Sequence, residues 1–417
     1  MSNSKNQTST GRNIDLSQAQ IDYLLSPKAI RERAAKIFEL TESGQGHFVF
    51  HADKLKLTVD YVLAVIQKNY PDLKIPFHSR WGHFRAGQID RAKKLNEHLS
   101  TISPLEKART QLDLVITSVL LDAGAGAKWS YFEEMTQKSF NRSEGLGVAS
   151  FYMFMSGVMS SDRRTLRADI EGLKSLKSED LEKHFQVTEK NPLIGVEGRL
   201  QLLNNLAKAL ENKKIFKDGR PGNIIDYLFE KFGTQIPATE VLRAVLDGLG
   251  VIWPGRLSAG SVNLGDVWVH SKLGADLSFD SLVPIHKLSQ WMTYSLIEPI
   301  EEAGFNVTGV EGLTGLAEYR NGGLLLDSGL LTLKNLEDYD KQWAPSSELI
   351  IEWRALTVHL LDIIGGHVQK ALGFTSQQFP LAKVLEGGTW WAGRFLAQEK
   401  RSGGNPPLNI QSDGTVF

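Results

Sequence analysis

The chain contains no cysteine. That absence excludes disulfides, thiolate nucleophiles and cysteine-ligated zinc together. There is no excess of either charge: 47 Lys and Arg against 48 Asp and Glu leave a formal net charge of −1. Proteins that grip nucleic acid draw most of their affinity from a basic face, so no nucleic-acid partner is expected. No apolar run approaches the roughly 20 residues of a membrane span, so no membrane partner is expected either. The opening MSNSKNQTSTGRN is polar and lacks the apolar centre of a secretion signal, which makes the cytoplasm the expected location. The phosphate-binding P-loop, a strand-linked G-x-G-x-x-G, H-E-x-x-H and G-x-S-x-G are all missing. The 10 histidines are scattered without ligand spacing, so neither a metal nor a cofactor is expected. No internal repeat or low-complexity segment is present.

What remains is ordinary globular material, 417 residues with 41% hydrophobic and 23% charged. The patterning predicts a mostly α, multi-helix globular fold with a small β-hairpin near 322–333. Residues 1–15 read as a disordered tail and 16–417 as one large helical domain. That domain divides into two lobes, 16–160 plus the C-terminal helices, and 190–330. Ser26-Pro27 is a cap with proline at the first helical position, and the helix runs on through AIRERAAKIFEL. A second helix runs from near Asp53 to Tyr70. Ser103-Pro104-Leu105-Glu106 is a capping box before another. Residues 141–159 open with Ser143 as cap and are apolar nearly all round, which predicts a buried helix. ELIIEWRALTVHLLDIIGGHVQKAL is a long helix with one apolar face. The oligomeric state is not legible.

One stretch, 282–327, concentrates the residue types of a pocket for a small polar molecule. On a helix Lys287, Trp291, Tyr294 and Glu298 share one face, with His286 and Gln290 as a neighbouring stripe. A purely solvent-facing stripe would hold more Lys and Glu and no Trp–Tyr pair. Downstream, Glu318 lies among apolar residues and glycines beside Tyr319, Arg320 and Asn321. A carboxylate held there is a structural partner of the arginine, or an acid, base or stabiliser of positive charge. Other candidates lie outside this stretch. IPFHSRWGHFRAG gathers His78, Arg80, Trp81 and His83 in one loop, which either packs or reaches a substrate with Arg80 as an anion contact. Asp122 ends an apolar helix and opposes its dipole, so it needs a partner; it is a structural or a pocket acid. Arg142 and Glu144 stand at the mouth of a helix. Asp266 falls in the glycine-rich segment 251–270, where Trp253 and Trp268 read as packing anchors. Arg354 is an ion-pair partner or a buried anion contact.

The strings PFHSRWGHF, LLDAGAGAKW, RSEGLGVASF, NPLIGVEGR, IWPGR, HKLSQWMTYSLIEP and GLTGLAEYRNGGLLLD are long and specific. Through them the chain, from Leu16 on, closely resembles a family of fungal and bacterial proteins long known as a domain of unknown function and linked to uracil catabolism. A remoter resemblance is to queuosine-salvage enzymes, N-glycosyl hydrolases of a nucleoside 5'-phosphate on a fold akin to helix-hairpin-helix DNA glycosylases. It rests on Lys287-Leu288-Ser289-Gln290, Glu318-Tyr319-Arg320 and Glu352-Trp353-Arg354, in that order. Glu318 replaces an aspartate of that pattern, and Asn321-Gly322-Gly323 stand where it has a proline.

Together the resemblances imply an N-ribosyl hydrolase releasing urea from ribosylurea or its 5'-phosphate. Glu318 would face the anomeric carbon, and Lys287 would pair with it or with a ribose hydroxyl. Arg320, Arg354 or Arg80 would hold a phosphate. Trp291 and Tyr294 would wall the pocket, with Tyr319, Asn321, His286, Gln290 and Trp81 completing the substrate contacts. Asp122 and Asp266 would be reserve acids for the leaving urea. Alternatives are an N-glycosidase for another nucleoside 5'-phosphate, a non-catalytic nucleotide-binding subunit of the ring-opening pathway, and a DNA glycosylase, which the near-neutral charge disfavours.

Overall fold

The structure is a computed structural model that describes residues 11–253 and 256–411. It is 56% helical, with short strands scattered between helices. Among the described residues no sheet exceeds three strands. The architecture is therefore mostly α, as composition and periodicity predict. The buried hydrophobic residues form one cluster running from Ile14 to Leu408.

Seven helices carry the site: α1 (Arg80–His83), α2 (Pro104–Leu120), α3 (Arg142–Met155), α4 (Lys287–Glu302), α5 (Tyr319–Asp327), α6 (Glu348–Leu372) and α7 (Trp390–Lys400). Their starts follow local chemistry. Ser79 caps α1, accepting from the Gly82 N–H at 3.2 Å. Ser103 caps α2, accepting from the Glu106 N–H at 3.2 Å, with Pro104 at the first position. The Glu106 carboxylate goes elsewhere, to Arg220 at 2.6 Å and Arg109 at 2.9 Å. α4 packs against α2, and α5 against α7 and α6. α7 follows a five-residue π-helical stretch, Leu385–Thr389, and such stretches re-aim side chains.

Several expectations change. The hairpin near 322–333 is instead α5 followed by a strand. That strand, β2 (Leu331–Leu333), pairs antiparallel with the distant β1 (Phe48–Phe50). The Gly322-Gly323 pair that reads as a turn sits inside a helix, because side chains crowd it. A Cβ on Gly322 would lie 2.8 Å from the Trp353 ring of α6. Asn141, not Ser143, precedes α3. A helix at Gln18–Leu24 comes before the one at Pro27–Glu42. Residues 12–14 of the expected tail form a strand parallel to 257–259; residues 1–10 lie outside the described residues. No helix among the described residues is long and apolar enough to cross a membrane.

Candidate active site

The site is built around the first residue of α4, Lys287. Asp266 accepts from the Lys287 backbone N–H at 3.0 Å and so caps the helix from outside its own chain segment. Arg354 of α6 grips the same carboxylate with both terminal nitrogens, at 2.8 and 2.7 Å, and the Trp268 indole donates to it at 2.6 Å. Asp266 and Arg354 are thus a clamp on the helix start. Burial alone would raise the Asp266 pKa, but the Arg354 guanidinium overrides it and holds the carboxyl low. Neither residue lines the cavity described next.

That cavity, of about 420 Å³, is where the two halves of the 282–327 stretch meet. Lys287, Leu288 and Trp291 come from the first turn of α4, and Glu318, Tyr319 and Arg320 from the start of α5. Asp122 enters from the loop after α2. Glu318 is the cap of α5. Its two carboxylate oxygens accept from the N–H groups of Arg320, at 2.8 Å, and Asn321. Burial nonetheless raises its pKa, against those two N–H groups and the nearby Lys287. Burial also lowers the Lys287 pKa, against the charges of Glu318 and Asp122. The Lys287 ammonium makes no hydrogen bond with any described residue.

A relay stands behind Asp122. Arg80 is fully buried and lies 2.8 Å from the Asp122 carboxylate, an ion pair off the hydrogen-bond line. Its Nη1 donates to the Ser143 carbonyl at 2.8 Å and to His83 Nδ1 at 3.0 Å. Arginine can only donate, so His83 Nδ1 must accept and its proton sits on Nε2. Burial, then the Arg80 charge, pushes the His83 pKa down to about 3. His83 therefore lines the cavity as a neutral imidazole with a fixed tautomer. Gly147 makes room for this arrangement, since a Cβ there would lie 2.8 Å from Arg80 Nη1. Burial pushes the Asp122 pKa up, but the charge of the Arg80 guanidinium outweighs it and holds the carboxyl low. Arg199 fixes the Asp122 loop from beneath, donating to the Leu121 and Ala123 carbonyls at 2.9 and 2.8 Å.

Besides Asp266, Arg354 and Arg80, none of which lines it, five expected contacts lie away from the cavity. His286 is buried with a left-handed backbone, and its Nε2 meets the Leu24 carbonyl at 3.0 Å. Gln290 is fully buried behind the helix. The Tyr294 hydroxyl donates to the Thr314 carbonyl at 2.9 Å. Trp81 donates to Glu302 at 2.9 Å in the core. Asn321 is used at both ends, by the Leu316 carbonyl at 3.1 Å and the Thr389 hydroxyl at 2.8 Å. Of the Lys287, Trp291, Tyr294 and Glu298 stripe, only Lys287 and Trp291 line the cavity. Further along, Glu298 accepts from the Ser79 hydroxyl at 2.8 Å.

Conversely, the lining includes His78, His83 and Arg142, which by sequence could equally pack or pair, and Trp390 and the turn Gly403–Pro406, which sequence does not single out. The histidines of HSRWGHF and the Trp390-Trp391 doublet are the available signals. His78 is held by Glu386 at 2.7 Å. The glycine turn carries no local signal; tertiary contacts place it here, among them the Gly404 carbonyl accepting from Arg320 at 2.7 Å.

Comparison with known proteins agrees over nearly the whole chain. "Uracil catabolism protein 4" of Lachancea kluyveri is 39% identical over 436 aligned positions, covering 95% of this chain and 99% of the relative. "Protein urg3" of Schizosaccharomyces pombe (strain 972 / ATCC 24843) is 39% identical over 413 positions, covering 96% of this chain and all of the relative. Residues 23–417 match the family model described as "Protein of unknown function (DUF1688)", and the chain belongs to that family.

Proposed function

We propose that the protein acts in uracil catabolism as an N-ribosyl hydrolase, releasing urea from ribosylurea or its 5'-phosphate. The pathway comes from the printed name of the relative in Lachancea kluyveri. The reaction class is supported by one observation above others. A single cavity holds a buried carboxylate with raised pKa, Glu318, and an ammonium with lowered pKa and no hydrogen-bond partner among the described residues, Lys287. Opposed shifts of this kind bring an acid and a base toward neutral pH.

Cleaving the N-glycosidic bond builds positive charge on the sugar and negative charge on the departing ureido nitrogen. Glu318 stabilises the first and accepts a proton from the attacking water. Lys287 gives a proton to the leaving nitrogen and is recharged from Glu318, so one water is consumed and one urea leaves. His83 Nε2–H and the Trp291 indole N–H, which has no partner among the described residues, offer donors for the ureido carbonyl. Asp122 is a poor acid here because Arg80 keeps it ionised; it orients the Arg80–His83 pair instead.

A substrate panel tests this reading. Purified protein is incubated with ribosylurea, ribosylurea 5'-phosphate, uridine and uridine 5'-phosphate, and urea and free base are measured. Urea from one or both of the first two and no uracil from the others is the expected pattern. Intact ribosylurea and ribosylurea 5'-phosphate after long incubation at high protein concentration would sink it.

A further inference from the structure

Three arginines are candidates for a phosphate ligand by sequence, and two of them are already engaged. Arg80 is paired with Asp122 at 2.8 Å and Arg354 with Asp266 at 2.7 Å. Arg320 keeps capacity. Its Nη1 donates to the Gly404 carbonyl, but its Nε has no partner among the described residues, although the residue is only 6% exposed and lines the cavity. A buried guanidinium N–H without an acceptor is costly, and a ligand oxygen would relieve it.

A second feature converges on the same mouth. α3 is 14 residues long and begins there, with Arg142 and Ser143 in the lining. Its cap residue Asn141 makes no side-chain hydrogen bond to the helix, so the first N–H groups and the positive end of the helix dipole are left for a ligand. Arg142 itself holds a left-handed backbone at φ 52°, a strained conformation for a non-glycine residue. Its guanidinium makes no hydrogen bond or ion pair with any described residue.

The third cation is Arg394 of α7. It lies 5.4 and 5.1 Å from the ring centres of Trp390 and Trp391 and has no hydrogen bond or ion pair among the described residues. Burial first, then the charges of Arg142 and Arg320, hold its pKa below the ordinary arginine value, with Glu144 and Tyr319 acting the other way. Arg142 and Arg320 line the cavity and Arg394 lies over Trp390 of the same lining, so three guanidinium groups with unused donors border one space, beside the carboxylates of Glu144 and Glu318, where a dianion would accept from them.

We infer that Arg142, Arg320 and Arg394, with the N-terminus of α3, bind a phosphomonoester: the 5'-phosphate of the ribosyl substrate. The identity of the sugar rests on the hydrolase reading above; the anion site does not. Arg320 is two residues from Glu318 on the first turn of α5, so the phosphate and the reacting sugar share one wall. The substrate is then the 5'-phosphate rather than the free riboside.

Calorimetric binding of ribose 5-phosphate, ribose and inorganic phosphate tests the site without turnover. The proteins are the wild type, Arg142→Ala, Arg394→Ala and the remote exposed Lys56→Ala. Ribose 5-phosphate should bind at least roughly tenfold more tightly than ribose, and each arginine variant should weaken it roughly tenfold. Lys56→Ala should bind it like the wild type. Equal binding of ribose and ribose 5-phosphate, or undiminished binding in both arginine variants, would overturn the site. Inorganic phosphate binding as tightly as ribose 5-phosphate would overturn the assignment to the sugar 5'-phosphate. Binding at these arginines without urea release from ribosylurea 5'-phosphate would keep the site and sink the hydrolase reading. Urea release indifferent to the phosphate would do the reverse.

Discussion

At the scale of single residues the site is defined by what burial does to three charges. Glu318 is pushed up and Lys287 down, so both limbs of the pH–rate profile move inward. Activity needs Glu318 ionised, so kcat/KM should rise with pH through a value above the ordinary 4.5 of a glutamate. It needs Lys287 protonated, so activity should fall through a value below the ordinary 10.5. Measured profiles with limbs at ordinary Glu and Lys values would contradict the assignment. Asp122 illustrates what sequence can and cannot say. Its position at the end of an apolar helix announces a need for a partner. The partner, Arg80, lies far upstream on another helix and is invisible to local pattern. Asp122→Asn leaves that guanidinium buried without its counter-charge, which costs about 3 kcal/mol or more. Chemical denaturation should show this loss. Full stability in the Asp122→Asn variant would mean that the pair is not structural.

At the scale of elements the helices are legible where they carry caps and a clear apolar stripe. They are not legible where packing overrides local preference. Gly322-Gly323 signals a turn by composition, yet α5 continues through it because α6 needs that space for Trp353. α7 presses still closer: a Cβ on Gly393 would stand 2.0 Å from the Arg320 carbonyl. Gly393→Ala should therefore part α7 from α5, cost ~3 kcal/mol or more, and lower turnover by displacing Glu318 and Arg320. A thermal midpoint and activity equal to wild type would refute the close approach. Glu352 of α6 is a second element-level device. It is fully buried and holds His47 Nδ1 at 3.0 Å and His270 Nε2 at 3.1 Å, tying two distant segments to the helix. Burial pushes its pKa up, but the two histidines outweigh it and take it down to about 2. A depressed carboxylate contributes stability that is present above its ordinary 4.5 and lost as pH falls toward about 2. Denaturation from pH 6 to 2 should show that loss, on the order of 3 kcal/mol, and Glu352→Gln should flatten it. An unchanged acid profile in that variant would assign the loss to other groups.

At the scale of the whole molecule the cavity draws on residues from His78 to Pro406. Sequence concentrates chemistry in 282–327, and the fold does bring the two ends of that stretch together. It also brings in α1, the Asp122 loop, the start of α3 and the C-terminal glycine turn. Those arrive by tertiary packing, through Arg199, Gly147 and the Arg320–Gly404 contact, none of which has a local signature. The far half of the polar stripe on α4 misses the cavity for the same reason. Periodicity identifies a face, but Tyr294 is taken up by the Thr314 carbonyl and Glu298 by Ser79 and Arg85, which leaves only Lys287 and Trp291 of that face on the cavity.

The most direct test is the rate of urea release from ribosylurea 5'-phosphate by wild type and Glu318→Gln, measured alongside their thermal midpoints. The amide keeps one capping oxygen for α5, so the variant should stay folded, with kcat lower by about 10²–10⁴. A folded Glu318→Gln protein that releases urea at the wild-type rate would contradict the role given to this carboxylate.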